Sequence, residues 1–369
     1  MATVVAAEGN TLRDSAVARP YAPSWLDAIV VRIEALPGPT WLAYTILSVL
    51  AVALIGLEAT LSSRGLFGQD PAYFVYALYQ VFGLAAYHYL SRGAPKALEA
   101  FRPATDMDDT TADKYRLELS TTPARQAAIL WFVGAAGYIS LLAWSPAGFD
   151  LVGHQPAFVA LRVISEALWM IPVAWVVTYL LFRQMRVVSR LHREVVRVDL
   201  LQPAPLHALA RLTARASIVM LVFQSTAALP LPNVSAEARV MIVLTSLPFI
   251  AISLAAFFVP LRGLRARLEA EKVRRLAAVS TRIDSATAAL HRVIDAACAV
   301  QPDAEAARLS QTRIDTLNKG LASLLQERDF LGRLPTWPWD TSTLRKVLSA
   351  LALPILLFLL TRALERFVL

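Results

Sequence analysis

Apolar residues along this chain gather into long runs instead of alternating singly with polar ones. A spanning helix needs roughly 20 mostly apolar residues. Seven stretches are candidates: Trp41 to Ala59, Ala72 to Leu90, Ala127 to Trp144, Glu166 to Phe182, Ala216 to Leu231, Val240 to Val259 and Val347 to Thr361. Arg162 and Glu166 stand at the start of the fourth, and Arg211 and Arg215 on the approach to the fifth. Long basic side chains near a helix end reach back to the interface, so neither run is disqualified. Ahead of the first run, Leu26, Ile29, Val30 and Ile33 share one face of a short helix. Ser24 opens it with Asp27 in capping-box spacing, and Pro37 and Pro39 end it. Such an amphipathic helix is expected to lie in the headgroup region.

After the sixth run the pattern changes. Leu276, Val279, Ile283, Ala286, Leu290, Val293 and Ala297 recur at alternating spacings of three and four, the mark of a packing seam. Gln301, Pro302 and Asp303 predict a turn, with Asp303 as N-cap of a returning helix. Ile314, Leu317, Leu321 and Leu324 then repeat the spacing. Both arms start or end at an apolar run, which predicts an antiparallel, coiled-coil-like helical hairpin over residues 262–333.

The stretch LGRLPTWPWDTSTLRK, residues 331–346, must turn the return arm back into a span. Gly332 is expected to stop the arm, and Pro335 and Pro338 to keep the linker extended. The amphipathic rings of Trp337 and Trp339 belong at the inner interface, as does Trp41 at the head of the first run. Met185, Val188, Leu191, Val195 and Val198 continue the fourth run as an amphipathic helix. They predict a cytosolic helical connection, residues 183–215, packed beside the hairpin.

Composition names the solvent for these runs. The chain is 56% hydrophobic and 17% charged, with mean hydropathy +0.50. A soluble domain sits nearer ~45–50% apolar and ~25% charged. The reading is an all-α polytopic membrane bundle with the lipid bilayer as its first partner. Basic residues then set orientation: the connections after the second, fourth and sixth runs hold six, seven and fifteen, while those after the others hold only Arg64, Arg162 and Arg239. By the positive-inside rule the N-terminus is cytoplasmic and the C-terminus outside. The net charge of +8 is thereby topogenic, which argues against nucleic acid as a partner. The alanine-rich composition suggests a bacterial inner (plasma) membrane. The domains read as 1–40, tail plus interfacial helix; 41–261, membrane domain; 262–333, hairpin; and 334–369, interfacial knuckle and final span.

Candidate chemistry is sparse. Tyr73, Tyr76, Gln80 and Tyr87 fall on one face of the second run, with Gly83 among them. They line a pocket or pack between helices, where hydroxyls and amides bond across and glycine admits close approach. Arg162 and Glu166, four apart, form a candidate ion pair. Asp106, Asp108, Asp109 and Asp113 lack the glycine and final glutamate of a calcium loop in register, so they read as a loop that caps a helix. No histidine pair has metal spacing, and no nucleophile elbow or phosphate loop occurs, so neither cofactor nor metal nor catalytic residue is implied. The single Cys298 excludes an internal disulfide. Pro260 and Leu261 followed by Leu264 and Leu268 resemble the opening of a HAMP linker of bacterial receptors, without the turn that joins the two HAMP helices. The expectation is a non-enzymatic protein that relays a membrane signal or docks a cytosolic partner, or a second copy of itself, through the hairpin. The alternative is a small-solute transporter or channel.

Overall fold

The computed structural model describes residues 20–62, 71–144, 155–194, 204–226, 247, 250–299, 304–337, 339 and 341–368. Every element among them is helical; an isolated bridge joins Pro23 to Pro123. In chain order they are α1 (Trp25–Glu34), α2 (Thr40–Leu61), α3 (Pro71–Phe101), α4 (Asp109–Ser120), α5 (Ala124–Trp144) and α6 (Pro156–Arg162). A π-helical segment, Val163–Met170, joins α6 to α7 (Ile171–Glu194). Then come α8 (Ala204–Thr226), α9 (residues 250–258), α10 (Arg262–Ala299), α11 (Ala304–Arg333) and α12 (Thr341–Val368).

Among the described residues four helices are long and apolar enough to cross a membrane, against seven expected: Thr40–Leu61, Ala124–Trp144, Pro156–Arg193 and Ala204–Phe223. α3 is outside this set because Tyr76, Tyr79, Gln80, Tyr87, His88 and Tyr89 dilute its apolar character. The first part of the sixth run, apart from residue 247, and most side chains of α12 beyond Leu351 lie outside the described residues, as do the 301–303 turn and the stretch 195–203.

Three helices meet at α7. Gly83 of α3 faces Val173, where an added Cβ would come within 2.8 Å of the valine, and Gly134 of α5 faces Trp175 equally closely at 2.9 Å. Glycine lets those backbones approach, and the core of Leu84, Tyr87, Leu90, Val176, Leu180 and Met220 closes around them. The helix from Pro156 to Arg193 is 38 residues long. At 1.5 Å per residue that is roughly 57 Å, well beyond a hydrocarbon core of about 30 Å.

Its far end enters a second core, where Val187, Val188 and Leu191 pack with Phe101, Leu119, Leu206, Leu209, Leu264 and Leu268. Within residues 183–215 the first part continues α7 to Glu194, as the spacing of Met185, Val188 and Leu191 predicts, and the last part is the start of α8; both contribute to this core. Gln184 ties the two cores, donating from Nε2 to the carbonyls of Leu90 (3.2 Å) and Leu119 (2.8 Å).

α10 and α11 pack along each other. Lys272, near the start of α10, donates to the carbonyls of Gly332 and Leu334 at the end of α11, so the two run antiparallel. Val279 is buried and Leu276, Ile283, Leu290, Ile314, Leu317 and Leu321 are half-buried, on the faces turned toward the partner arm. Gly332 does not stop the arm. It lies inside α11, and the helix ends at Arg333, ahead of Pro335; among the described residues the positive-φ glycine is Gly38.

Candidate functional site

The capping box of α1 has a second use. Ser24 and Asp27 close it reciprocally, with the Ser24 N–H donating to Asp27 Oδ2 at 2.8 Å. The same carboxylate accepts from the Tyr87 hydroxyl at 2.7 Å and the Thr122 N–H at 3.2 Å, all four residues being buried. The clasp joins α1 to α3 and to the start of α5. Leu26, Val30 and Ile33 are covered by α3 and its neighbours, so the apolar face of α1 meets protein where lipid was expected. The reason is the carboxylate: Asp27 fixes the helix by bonds that only a folded partner supplies.

Two turns further along α1, Glu34 accepts from Arg92 Nε (2.7 Å) and His88 Nε2 (3.0 Å), while His88 Nδ1 bonds the Tyr44 hydroxyl at 2.8 Å. A carboxylate can only accept, so in the neutral ring the Nε2 proton is donated to Glu34 and Tyr44 donates to Nδ1. The Ser24–Asp27 box was anticipated from its spacing; its bonds to Tyr87 and Thr122, and the Glu34 cluster, were not. The available signal was the spacing of four between His88 and Arg92, with Glu34 at the end of an amphipathic helix.

The face of α3 singled out in the sequence divides. Tyr87 is fully buried with its hydroxyl committed to Asp27 and Thr122 (3.0 Å to Oγ1), and Gln80 is buried with its backbone carbonyl accepting from Trp169 Nε1 at 2.9 Å. Both pack between helices. The side chains of Tyr73 and Tyr76 lie outside the described residues.

The ion pair forms. Arg162 Nε sits 3.3 Å from Glu166 Oε1, and the Tyr138 hydroxyl of α5 donates to Glu166 Oε2. Glu166 is buried inside the π-helical segment, and Trp131 Nε1 donates to the carbonyl of Leu168 there at 3.0 Å. π-Helical turns recur at functional sites. α2 packs on α6, and Glu58 near the C-terminal end of α2 is buried. The charged end was legible from Arg162 and Glu166; Tyr138 and the π-helical register were not.

The tryptophans act as a wedge. Trp337 is covered by the Arg265 guanidinium at 3.7 Å and packs on Trp339 at 4.6 Å, and Trp339 packs on Phe257 at 5.1 Å. The linker is thereby fastened to the α9–α10 junction. Trp41 in contrast is 65% exposed at the start of α2. The acidic run opens α4: Asp108 is at the N-cap position and Asp109 pairs with Arg102. Among the described residues no group of histidine, cysteine or carboxylate side chains has the arrangement of a metal site. Compared with known proteins, the chain matches no family, no curated protein and no solved structure.

Proposed function

We propose that this is a polytopic membrane protein whose spanning helices run directly into an inner helical body, with the α10–α11 hairpin as a docking or relay arm on the cytosolic side. One observation carries the reading: α7 is shared between the core at the level of Tyr87 and the second core around Leu191, which also grips the root of α10 through Leu264 and Leu268. A shift of α7 would reach the hairpin by rigid packing. In this reading seven spans cross a bacterial inner membrane, the N-terminus is cytoplasmic and the C-terminus outside, as the distribution of basic residues indicates. No catalytic role is assigned.

The test is deletion of residues 276–325 from the tagged full chain, followed by capture from the native membrane in mild detergent. A stoichiometric protein, or a second copy of the chain, that is lost on deletion supports the reading; an unchanged partner set and phenotype overturn it. A transporter is the second reading, favoured by the buried Glu166 with Arg162 and Tyr138. Solute flux in proteoliposomes that Glu166→Gln removes would select it.

A further inference from the structure

α7 carries different residues on its two sides beyond Leu181. Val187, Val188 and Leu191 turn into the inner core, and the opposite side presents Phe182, Arg186, Ser189 and Arg193, with Arg190 beside them. This side does not face open solvent alone. Val259 and Pro260, at the end of α9, stand across from it and close a groove of about 440 Å³. The far wall is fixed, because buried His192 donates from Nδ1 to the Pro260 carbonyl at 2.9 Å and its ring meets the edge of Phe101. Arg267 holds the near wall by donating to the Arg193 carbonyl at 2.8 Å.

The lining is chemically divided. Phe182, Met185 and Val259 make one end apolar, and Phe182 and Val259 are 43% and 54% exposed there. Arg186, Arg190 and Arg193 line the groove further along α7 and make its rim there cationic, while most of its lining surface is apolar. Among the described residues Arg190 is the member of the three that a carboxylate neutralises, Glu118 at 2.6 Å. A cationic rim next to an apolar end, at the inner end of a spanning helix, fits a molecule with an anionic head and hydrocarbon tails.

We propose that this groove binds an anionic phospholipid of the inner leaflet, its phosphate held by Arg186 and Arg193 and its acyl chains lying along Phe182, Met185 and Val259. Basic pockets between helices on the cytoplasmic side suit such headgroups, and guanidinium groups bond phosphate oxygens in pairs. The inference rests on the reading that the inner end of α7 lies at the cytosolic interface. A lipid wedged between α7 and the α9–α10 junction would couple leaflet charge to the root of the hairpin.

The experiment uses the full chain in nanodiscs of equal parts phosphatidylcholine and phosphatidylglycerol, with lipid retention read by native mass spectrometry after detergent exchange. Retained phosphatidylglycerol in preference to phosphatidylcholine is expected. The double variant R186Q/R193Q should weaken that retention roughly 25-fold, about fivefold per arginine. Arg292→Gln plus Arg313→Gln, on the hairpin, should leave it unchanged and control for general charge. Inorganic phosphate alone should not displace the lipid; displacement would show a free-phosphate site and overturn the lipid assignment. Equal retention of both lipids, or an unchanged double variant, would overturn the groove. Resistance of the chain to alkaline extraction from native membranes keeps that failure distinct from failure of the membrane reading.

Discussion

α2 and α8 look alike in the sequence and are covered differently by the protein. Both are apolar enough to span, with mean hydropathy 2.1 and 1.5 over their best windows, yet 11% of the α2 window is buried by protein against 67% of the α8 window. Val49 and Leu50 of α2 point outward at 63% and 59% exposure, while Leu206, Leu209 and Leu212 of α8 are closed into the inner core. An apolar run asks for an apolar environment without saying which. For α2 length and composition are compatible with lipid. For α8 the protein itself supplies it, through Phe101, Leu119 and Leu191, and the arginines Arg211 and Arg215 are carried on a helix already covered elsewhere.

The contrast is sharpest by truncation. Leu209→Ala opens a cavity among fixed neighbours and should cost about 2–5 kcal/mol. Leu50→Ala removes contacts with detergent or lipid and should stay within about 0.5 kcal/mol. Denaturant unfolding of the purified protein in detergent, followed by circular dichroism, compares them; equal losses would erase the distinction. Insertion probes the other side. Leu50→Arg places a cation midway along the open face of α2 and should disfavour insertion by about 2.5–3.5 kcal/mol. Full recovery of that variant in the membrane fraction would mean that this face does not meet lipid.

Asp27 marks where a helix of lipid-binding type became part of the protein. Asp27→Ala leaves Ser24, Tyr87 and the Thr122 N–H without their acceptor and should cost about 2–3 kcal/mol, with Tyr87→Phe nearer 1 kcal/mol. Limited proteolysis in the 36–39 linker should become faster in the alanine variant. An unchanged cleavage rate would put α1 back on the bilayer surface.

The smallest effect concerns Glu271 on α10. Burial raises its pKa, but hydrogen bonds from Arg275 and Arg274, together with their charges, outweigh that and hold the carboxyl below its usual range. The folded form therefore binds its proton less readily than the unfolded chain does. Its contribution is present above the unfolded value of about 4.3 and is lost as pH falls through the lower folded value. Acid titration of helicity should show a shallow loss there that Glu271→Gln flattens. A variant with the same profile as the parent would make these pairs irrelevant to the hairpin.

The sequence by itself determined what period and composition control: the helical class, the need for an apolar solvent, the extents of both hairpin arms and the pairing of Arg162 with Glu166. Those are local properties, since a spacing of three and four or a run of apolar residues needs no knowledge of the neighbour. Tertiary structure decided what covers each face. It turned Asp27 from a helix cap into a clasp, placed Trp339 against Phe257, and opened the arginine-lined groove opposite Pro260. None of this is written in one segment, because burial is a relation between segments far apart in the chain. The same leucine is satisfied by lipid, by a neighbouring helix or by a second copy, and only the packed fold selects among them.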